Sequence, residues 1–195
     1  MAHSSSPEAS SSFTPSERTL LLDTAADSIN YGVHRSEPFP VVTARFPEPL
    51  QMVRGSFVTL KKEGELRGCI GTIEALQPLI VDVAENAYRA AFRDPRFPQV
   101  QLDEVECLRI SISILTAPAC FPVDSEADLL RQLRPGVDGL ILEEGSKRAT
   151  FLPTVWESLP SPRDFVLHLK RKAGWADNHW SPQMACYRYT TETVG

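Results

Sequence analysis

The segment GSFVTLKKEGELRGCIG, residues Gly55 to Gly71, decides the fold because it holds two alternating apolar runs on either side of a turn. Each run predicts a β-strand. Only Lys62, Glu63 and Gly64 separate them, and a three-residue hairpin loop requires a left-handed last residue, which Gly64 supplies. The sequence therefore predicts an antiparallel hairpin closed by a three-residue loop.

The loop length fixes which side chains face each other across this hairpin. A three-residue loop pairs Lys61 with Glu65 and Leu60 with Leu66, whereas a two-residue loop sets Lys61 against Leu66 and Leu60 against Arg67. The first register keeps apolar side chains together and pairs opposite charges, so the sequence favours it. It also places Thr59 opposite Arg67, and Phe57 opposite Cys69.

The second strand carries the residues most capable of chemistry. Successive side chains alternate faces, so Leu66 and Ile70 are predicted to face a core while Arg67 and Cys69 share the other face. A cation beside a thiol favours its reactive form, which makes Cys69 a candidate nucleophile or ligand. The alternative is a small buried hydrophobe, the more common state of a free cysteine.

Composition and charge exclude several classes of function. The chain has 195 residues, 42% of them hydrophobic, and a net charge of -5, which disfavours a dedicated nucleic-acid binder. The basic run at residues 170–172 is typical of a solvated helix end. No apolar run is long enough to span a membrane. Residues 1–15 are rich in Ser and Pro and predict a disordered tail without a targeting signal, followed by one domain over residues 16–195.

The cysteines and histidines give no metal signature. Four cysteines occur without a C-x-x-C pair, so neither a structural zinc site nor a thioredoxin-like motif is indicated. The four histidines also lack ligand spacing, and no cofactor motif is present. Unpaired cysteines of this kind fit a cytoplasmic protein with reduced thiols.

The remaining pattern predicts helices interleaved with hairpins. Helices are expected over residues 16–33 with Ser16 as N-cap, from Pro78 to about Asp94, from Ser125 to Leu133, and from Ser161 to Gly174. Strands are expected over residues 108–116, 139–143, 147–152 and 185–191. Without a repeated strand-helix-strand order, this pattern indicates an α+β fold with a largely antiparallel sheet and flanking helices.

Five motifs in this order resemble the AMME-syndrome candidate family, known in bacteria and archaea as AmmeMemoRadiSam system protein A. They are LRGCIG (66–71), DPRFP (94–98), VDGLIL (137–142), FLPTVW (151–156) and HLKRKAGW (168–175). The resemblance covers residues 16–192. It implies two intimately packed subdomains with the hexapeptide at the cleft between them. It also implies association with Memo-type proteins and radical S-adenosylmethionine proteins, without assigning a reaction.

Taken with the family, the sequence leads to a hypothesis about the site. The expected ligand is a small anionic metabolite in the inter-subdomain cleft, with Cys69 as nucleophile or ligand and Arg67 as its activator and anion clamp. Asp94 or His179 is the candidate for proton transfer. The candidate ligand contacts are Gly68, Gly71 and Arg96.

Structural roles are the alternative for the same residues. Asp94 and Arg96 would form an ion pair that fixes a loop, His179 would be a surface or capping residue, and the glycines would mark a bulge or a close backbone contact. The protein as a whole would then be a non-catalytic partner or scaffold for the Memo-type and radical S-adenosylmethionine proteins.

Overall fold

Two four-stranded antiparallel sheets, each covered by helices on one face, make up the computed structural model, which describes residues 13–195. Most of the predicted tail, residues 1–12, lies outside the described residues. The helices and strands are, in chain order, α1 (Pro15–Arg35), α2 (Glu48–Gln51), β1 (Ser56–Lys62), β2 (Glu65–Gly71), α3 (Leu79–Phe92), β3 (Leu108–Leu115), β4 (Ala119–Cys120), α4 (Glu126–Gln132), β5 (Gly139–Glu144), β6 (Lys147–Phe151), α5 (Pro162–Lys172), β7 (Ala185–Tyr189) and β8 (Thr191–Val194). Short 3-10 helices span Thr43–Arg45, Leu102–Cys107 and Pro153–Glu157.

The first sheet has the order β2-β1-β3-β8, and α1 and α3 cover one of its faces. The helix predicted from Pro78 is confirmed as α3, and its Ile80, Val83 and Ala87 are fully buried against this sheet. The strand predicted over residues 108–116 is confirmed as β3, and its isoleucines face the same core. The α+β prediction therefore holds for this unit.

Helix α1 begins two residues earlier than the sequence suggested. Thr14, not Ser16, is the N-cap, and it forms a capping box with Glu17. Pro15 occupies the first helical turn, where its missing N–H costs nothing. Phe13 is only 5% exposed, so residues 13–15 belong to the folded unit and not to the tail.

The β1–β2 hairpin is closed by a two-residue turn, so the predicted three-residue loop was wrong. Glu63 and Gly64 have φ values of 54° and 87°, the left-handed pair of a type I′ turn, which suits the twist of a hairpin. Lys61 now faces Leu66, and a bulge follows. The bulge absorbs one residue, so Cys69 faces Thr59 instead of Phe57.

The same bulge overturns the prediction for Leu66. Leu66 lies opposite Lys61 and is 41% exposed, so it does not reach the core. Ile70 packs against the core as predicted. Next to the turn, the strands therefore pair in the register that the sequence disfavoured. Beyond the bulge, apolar side chains face each other again, with Ile70 opposite the fully buried Val58.

The second sheet has the order β4-β7-β5-β6 and packs against α4 and α5. The cap predicted for α5 is confirmed: the Ser161 hydroxyl accepts from the N–H of Asp164, and Pro162 opens the helix. Trp156 stacks flat on Phe165 with ring centroids 3.8 Å apart, which anchors the helix to the core.

The last predicted strand is in fact two strands in different sheets. β7 pairs with β4 and β5 in the second sheet, whereas β8 pairs with β3 in the first. The chain crosses between the sheets at Thr190. Its backbone oxygen accepts from the N–H of Thr116, which lies where the chain leaves β3 for β4.

A buried polar cluster fixes the start of β1 to α3. The Asp82 carboxylate accepts from the Ser56 N–H at 2.8 Å and from the Ser56 hydroxyl at 2.6 Å. The Asn86 amide donates to the same oxygen at 2.9 Å. Burial raises the pKa of Asp82, and its hydrogen bonds to Ser56 oppose that rise.

We expect Ser56→Ala to lower the free energy of unfolding by about 1 to 3 kcal/mol, because a buried carboxylate loses a hydroxyl donor. Urea unfolding followed by circular dichroism measures the change. Ser113→Ala is the matched control: Ser113 is also a buried strand serine, but its hydroxyl has no hydrogen-bond partner within residues 13–195. Equal losses in the two variants would contradict a stabilising role for the cluster.

Candidate functional site

A row of polar side chains crosses the face of the first sheet that is turned away from α1 and α3. Val58 and Leu60 are buried beneath the helices, so Thr59 between them must project to the opposite side, called here the inner face. Cys69 and Ser111 are the neighbours of Thr59 on β2 and β3. These three residues form the thiol-hydroxyl row.

The inner face looks toward the second sheet. Phe57, two residues before Thr59, packs against the cluster formed by Leu115, Ile141 and Tyr189, which joins the two sheets. The thiol-hydroxyl row is therefore adjacent to the junction between the two units.

The Cys69 thiol is partly exposed and has a polar neighbour. Its sulfur lies 3.3 Å from the hydroxyl oxygen of Thr59, within hydrogen-bond distance. The next serine on the inner face, Ser113, is 9% exposed and has an unbonded hydroxyl within residues 13–195. Lys61 and Arg109, paired across β1 and β3, are exposed beyond the row. The row thus combines a thiol, several hydroxyls and two cationic side chains.

Asp94 and Arg96 close the outer edge of β2 beside Cys69. The Cys69 N–H donates to the Asp94 carboxylate at 2.9 Å, and the Cys69 carbonyl accepts from Arg96 at 3.1 Å. Arg96 also binds Asp94 directly, at 2.7 and 2.9 Å. The two side chains together occupy the backbone groups that an additional strand would use.

The Arg96 guanidinium also sets the charge state of Asp94. Its hydrogen bonds hold the pKa of Asp94 well below the usual range, and the Cys69 N–H lowers it further. A carboxylate with so low a pKa is a weak proton acceptor near neutral pH. This arrangement suits Asp94 to holding the Cys69 backbone in place.

All three guanidinium nitrogens of Arg67 donate hydrogen bonds within the protein. Nε and Nη2 donate to Glu104 at 3.1 and 2.9 Å, and Nη1 donates to the Pro98 carbonyl at 2.8 Å. The two bonds from Arg67, with those from the Gln101 backbone N–H and the Lys62 amine, lower the pKa of Glu104 to about 2. The guanidinium fixes the 3-10 helix and the loop before it against β2.

Close packing explains the two glycines of the hexapeptide. A β-carbon on Gly68 would lie 2.2 Å from the backbone oxygen of Ala90 in α3. A β-carbon on Gly71 would lie 2.2 Å from the ring of Phe57. Any larger residue would push β2 away from the helix or displace the aromatic ring that joins the sheets.

The structure does not bring His179 to this group. Its Nε2 lies 2.5 Å from the carboxylate of Glu144 in β5, and its ring stacks on Trp175. The Ser181 hydroxyl donates to the same carboxylate. Within residues 13–195, no group of three or more His, Cys, Asp or Glu side chains could hold a metal ion.

Sequence reasoning missed Thr59, Ser111 and Glu104 as members of this site. The serines of β3 alternate with isoleucines, so period-two patterning placed them on a polar face and could have directed attention to Ser111. Nothing in the local sequence identifies Glu104 as the partner of Arg67, because the two residues are 37 positions apart.

Comparison with known proteins shows the family of this chain. The AMMECR1 family model matches residues 22–194. The chain belongs to the AMMECR1 family. It is 40% identical over 152 residues to a protein of Methanothermobacter thermautotrophicus, a match that spans 75% of this chain and 77% of that protein. A protein of Methanocaldococcus jannaschii is 36% identical over 187 residues, covering 90% of this chain and 91% of its own length.

A solved structure shares the fold. It is the crystal structure of an uncharacterised protein of Pyrococcus horikoshii, with a TM-score of 0.83 and 28% sequence identity, covering 93% of this chain and 92% of that one. In the part of the AMMECR1 chain that the structure describes, no helix is both long and apolar enough to cross a membrane.

We expect Arg67→Met to lower the stability of this AMMECR1 protein by roughly 2 kcal/mol at neutral pH, because Glu104 loses its main cation. The folded pKa of Glu104, about 2, lies below its ordinary 4.5, so its ion pairs stabilise the fold above that ordinary value. Their contribution is lost as the pH falls toward 2. The difference in unfolding free energy between wild type and variant should shrink over that interval in urea titrations.

Arg109→Met is the matched control for this titration. Arg109 is an exposed inner-face arginine with no ion pair within residues 13–195, so its removal should leave the pH dependence unchanged. A pH-independent loss in Arg67→Met would contradict this, because it would assign the stabilisation to a contact that does not titrate, such as the hydrogen bond to the Pro98 carbonyl, and not to the ion pair with Glu104.

Proposed function

We propose that the protein is a cytoplasmic enzyme, or a component of one, that acts on a small anionic metabolite bound at the inner face beside the junction of the two units. Cys69 is its reactive group. One observation carries the proposal: the Cys69 thiol is partly exposed and contacts only the Thr59 hydroxyl among the hydrogen-bond partners within residues 13–195, whereas the Arg67 guanidinium is bonded to Glu104 and Pro98.

The surroundings of the thiol support an anionic ligand. Thr59 lies next to Cys69 in the row and Ser111 lies beyond Thr59, and hydroxyl groups can donate to the oxygens of a carboxylate or phosphate. Lys61 and Arg109 supply positive charge on the same face. The proposal therefore assigns the attraction of the anion to these two side chains, because the donors of Arg67 are committed to Glu104 and Pro98.

The other residues named from the sequence receive positioning roles in this proposal. Asp94 and Arg96 hold the backbone of Cys69, and Arg67 holds the loop that follows them. Proton transfer by His179 stays a prediction, since its ring nitrogen is bonded to Glu144 in the second unit. The four free cysteines support the proposed compartment, because they suit a reducing environment.

Unbiased ligand identification tests the proposal directly. Full-length protein is incubated with a fractionated small-molecule extract and analysed by native mass spectrometry. We expect an anionic species retained by wild type and by Cys107→Ala, an exposed-cysteine control, and lost from Cys69→Ala. The same ligands on all three proteins, with Cys69→Ala folded, would remove the thiol from the site.

A second candidate is a non-catalytic partner or scaffold for Memo-type and radical S-adenosylmethionine proteins. The observation that favours it is the number of intramolecular contacts around the hexapeptide, since Arg67, Asp94 and Arg96 are all engaged in fixing loops. Here Cys69→Ala should cost only about 1 to 2 kcal/mol of packing and leave complex formation and pathway output intact. Loss of pathway output from a folded Cys69→Ala protein would reject this candidate.

A further inference from the structure

Strand β8 leaves one edge of the first sheet open. In the β3–β8 ladder, Thr116 and Thr190 form a hydrogen-bonded backbone contact, so the hydrogen-bonded positions of β8 are Glu192 and Val194. The N–H and C=O groups of Thr191 and Thr193 therefore point away from β3. Within residues 13–195, both groups of Thr191 and the N–H of Thr193 have no hydrogen-bond partner.

The far end of this edge is capped. Arg18 of α1 reaches the Thr193 carbonyl at 3.4 Å, and its guanidinium also binds Glu192 at 2.5 Å. The backbone N–H of Phe13 donates to the same glutamate. The open stretch is therefore short and centred on Thr191, enough for two or three residues of another extended chain.

A cavity of 550 Å³ lies against this open stretch. Thr191 and Thr193 form one wall, and segments of the second unit form the others, with largely apolar linings from Pro135, Val137, Pro153, Trp156 and Pro160. Val137 is 45% exposed. The one charged residue in the lining is Glu157, an exposed carboxylate with no ion pair within residues 13–195.

We infer that β8 and this cavity bind an extended segment of a partner protein by strand addition, with an apolar side chain in the cavity and a basic side chain at Glu157. Backbone hydrogen bonds to Thr191 and Thr193 supply the pairing, and alternate side chains of the added strand fall on the cavity side. The negative charge of Glu157 favours a basic side chain on the added strand. This site is separate from Cys69, which lies on β2 at the opposite edge of the same sheet.

Two other occupants fit the cavity less well. A second copy pairing through its own β8 would present threonines, which are too small and polar to fill an apolar cavity of this size. Residues 1–12 of this chain join it at Phe13 near β8, but Met1 is their only large apolar residue. A partner with a bulky apolar side chain matches the lining.

Peptide selection followed by two variants tests the inference. Heptapeptides are selected from a phage-displayed random library on the full-length protein, and their affinities are measured by titration calorimetry. Thr191→Pro deletes one outward N–H without removing a bond to β3, whereas Thr191→Val retains that N–H in a side chain of the same shape. We expect Thr191→Pro to weaken binding at least about tenfold and Thr191→Val less than about threefold.

Amide hydrogen exchange on the wild type provides an independent measurement if Thr191→Pro does not fold. The Thr191 and Thr193 amides should exchange fast in the free protein and become protected when a selected peptide binds. Cys69 alkylation should be unchanged by the peptide, so this result does not depend on the proposed function. Peptides that bind equally to both variants, or that leave these amides unprotected, would overturn the inference.

Each alternative occupant predicts its own hydrogen-exchange result, and either result would overturn the inference. Protected Thr191 and Thr193 amides that become exposed on deletion of residues 1–12 would assign the edge to the protein's own N-terminal segment. Protection that depends on protein concentration, with a dimer lost in Thr191→Pro, would assign it to a second copy.

Discussion

The contact between Thr116 and Thr190 holds the two halves of the molecule in one arrangement. The chain leaves the first sheet just after β3 and returns to it just before β8, and these two crossings lie side by side. The Thr116 N–H donates to the Thr190 carbonyl, and the Thr190 N–H donates to the Thr116 hydroxyl. Because both crossings are paired at one point, the sheets cannot separate there without breaking these two hydrogen bonds.

The position of the candidate site follows from this crossing. The crossing places Leu115 against Ile141 and Tyr189, and Phe57 joins them from the first sheet. Tyr189 itself requires Gly139, where a β-carbon would lie 2.5 Å from its ring. The inner face of β1 is thereby covered at Phe57 and left accessible at Thr59, so the thiol-hydroxyl row sits at the boundary between packed and open surface.

Local chemistry was readable from the sequence, and long-range pairing was not. Ser161, Pro162 and Asp164 predicted the start of α5 because a capping motif needs only neighbouring residues. The hairpin turn was misjudged because a bulge at Arg67 changes the register, and a bulge is decided by contacts with α3 that lie far along the chain. The split of the last strand depends on two sheets at once, so residues 185–191 alone could not reveal it.

The candidate site also combines residues that local sequence could identify with residues that depend on long-range contacts. The hexapeptide predicted a shared strand face on which Arg67 activates Cys69, and that role stays a prediction; in the fold the Arg67 guanidinium is bonded to Glu104 and the Pro98 carbonyl. The sequence could not identify the partner of Arg67. Glu104 lies on a 3-10 helix far along the chain, and the ion pair with Arg67 itself holds that helix in place. A charged side chain can either bind a ligand or form an ion pair inside the fold. The sequence around Arg67 does not distinguish these two roles, because the distinction depends on a distant partner.

The two edge strands of the first sheet differ in whether their outward backbone groups are covered. Those of β2 are covered at Cys69, whereas those of β8 are partly open. At β2, Asp94 and Arg96 occupy the free backbone groups of Cys69, which prevents another strand from pairing there. At β8, Arg18 covers the Thr193 carbonyl, and Thr191 stays open beside a large cavity. If these edge strands needed only protection from aggregation, the free backbone groups of both β2 and β8 would be expected to be covered. The partial cap at β8 limits pairing to a short segment, which is the property expected of a strand that accepts a specific partner and excludes long ones.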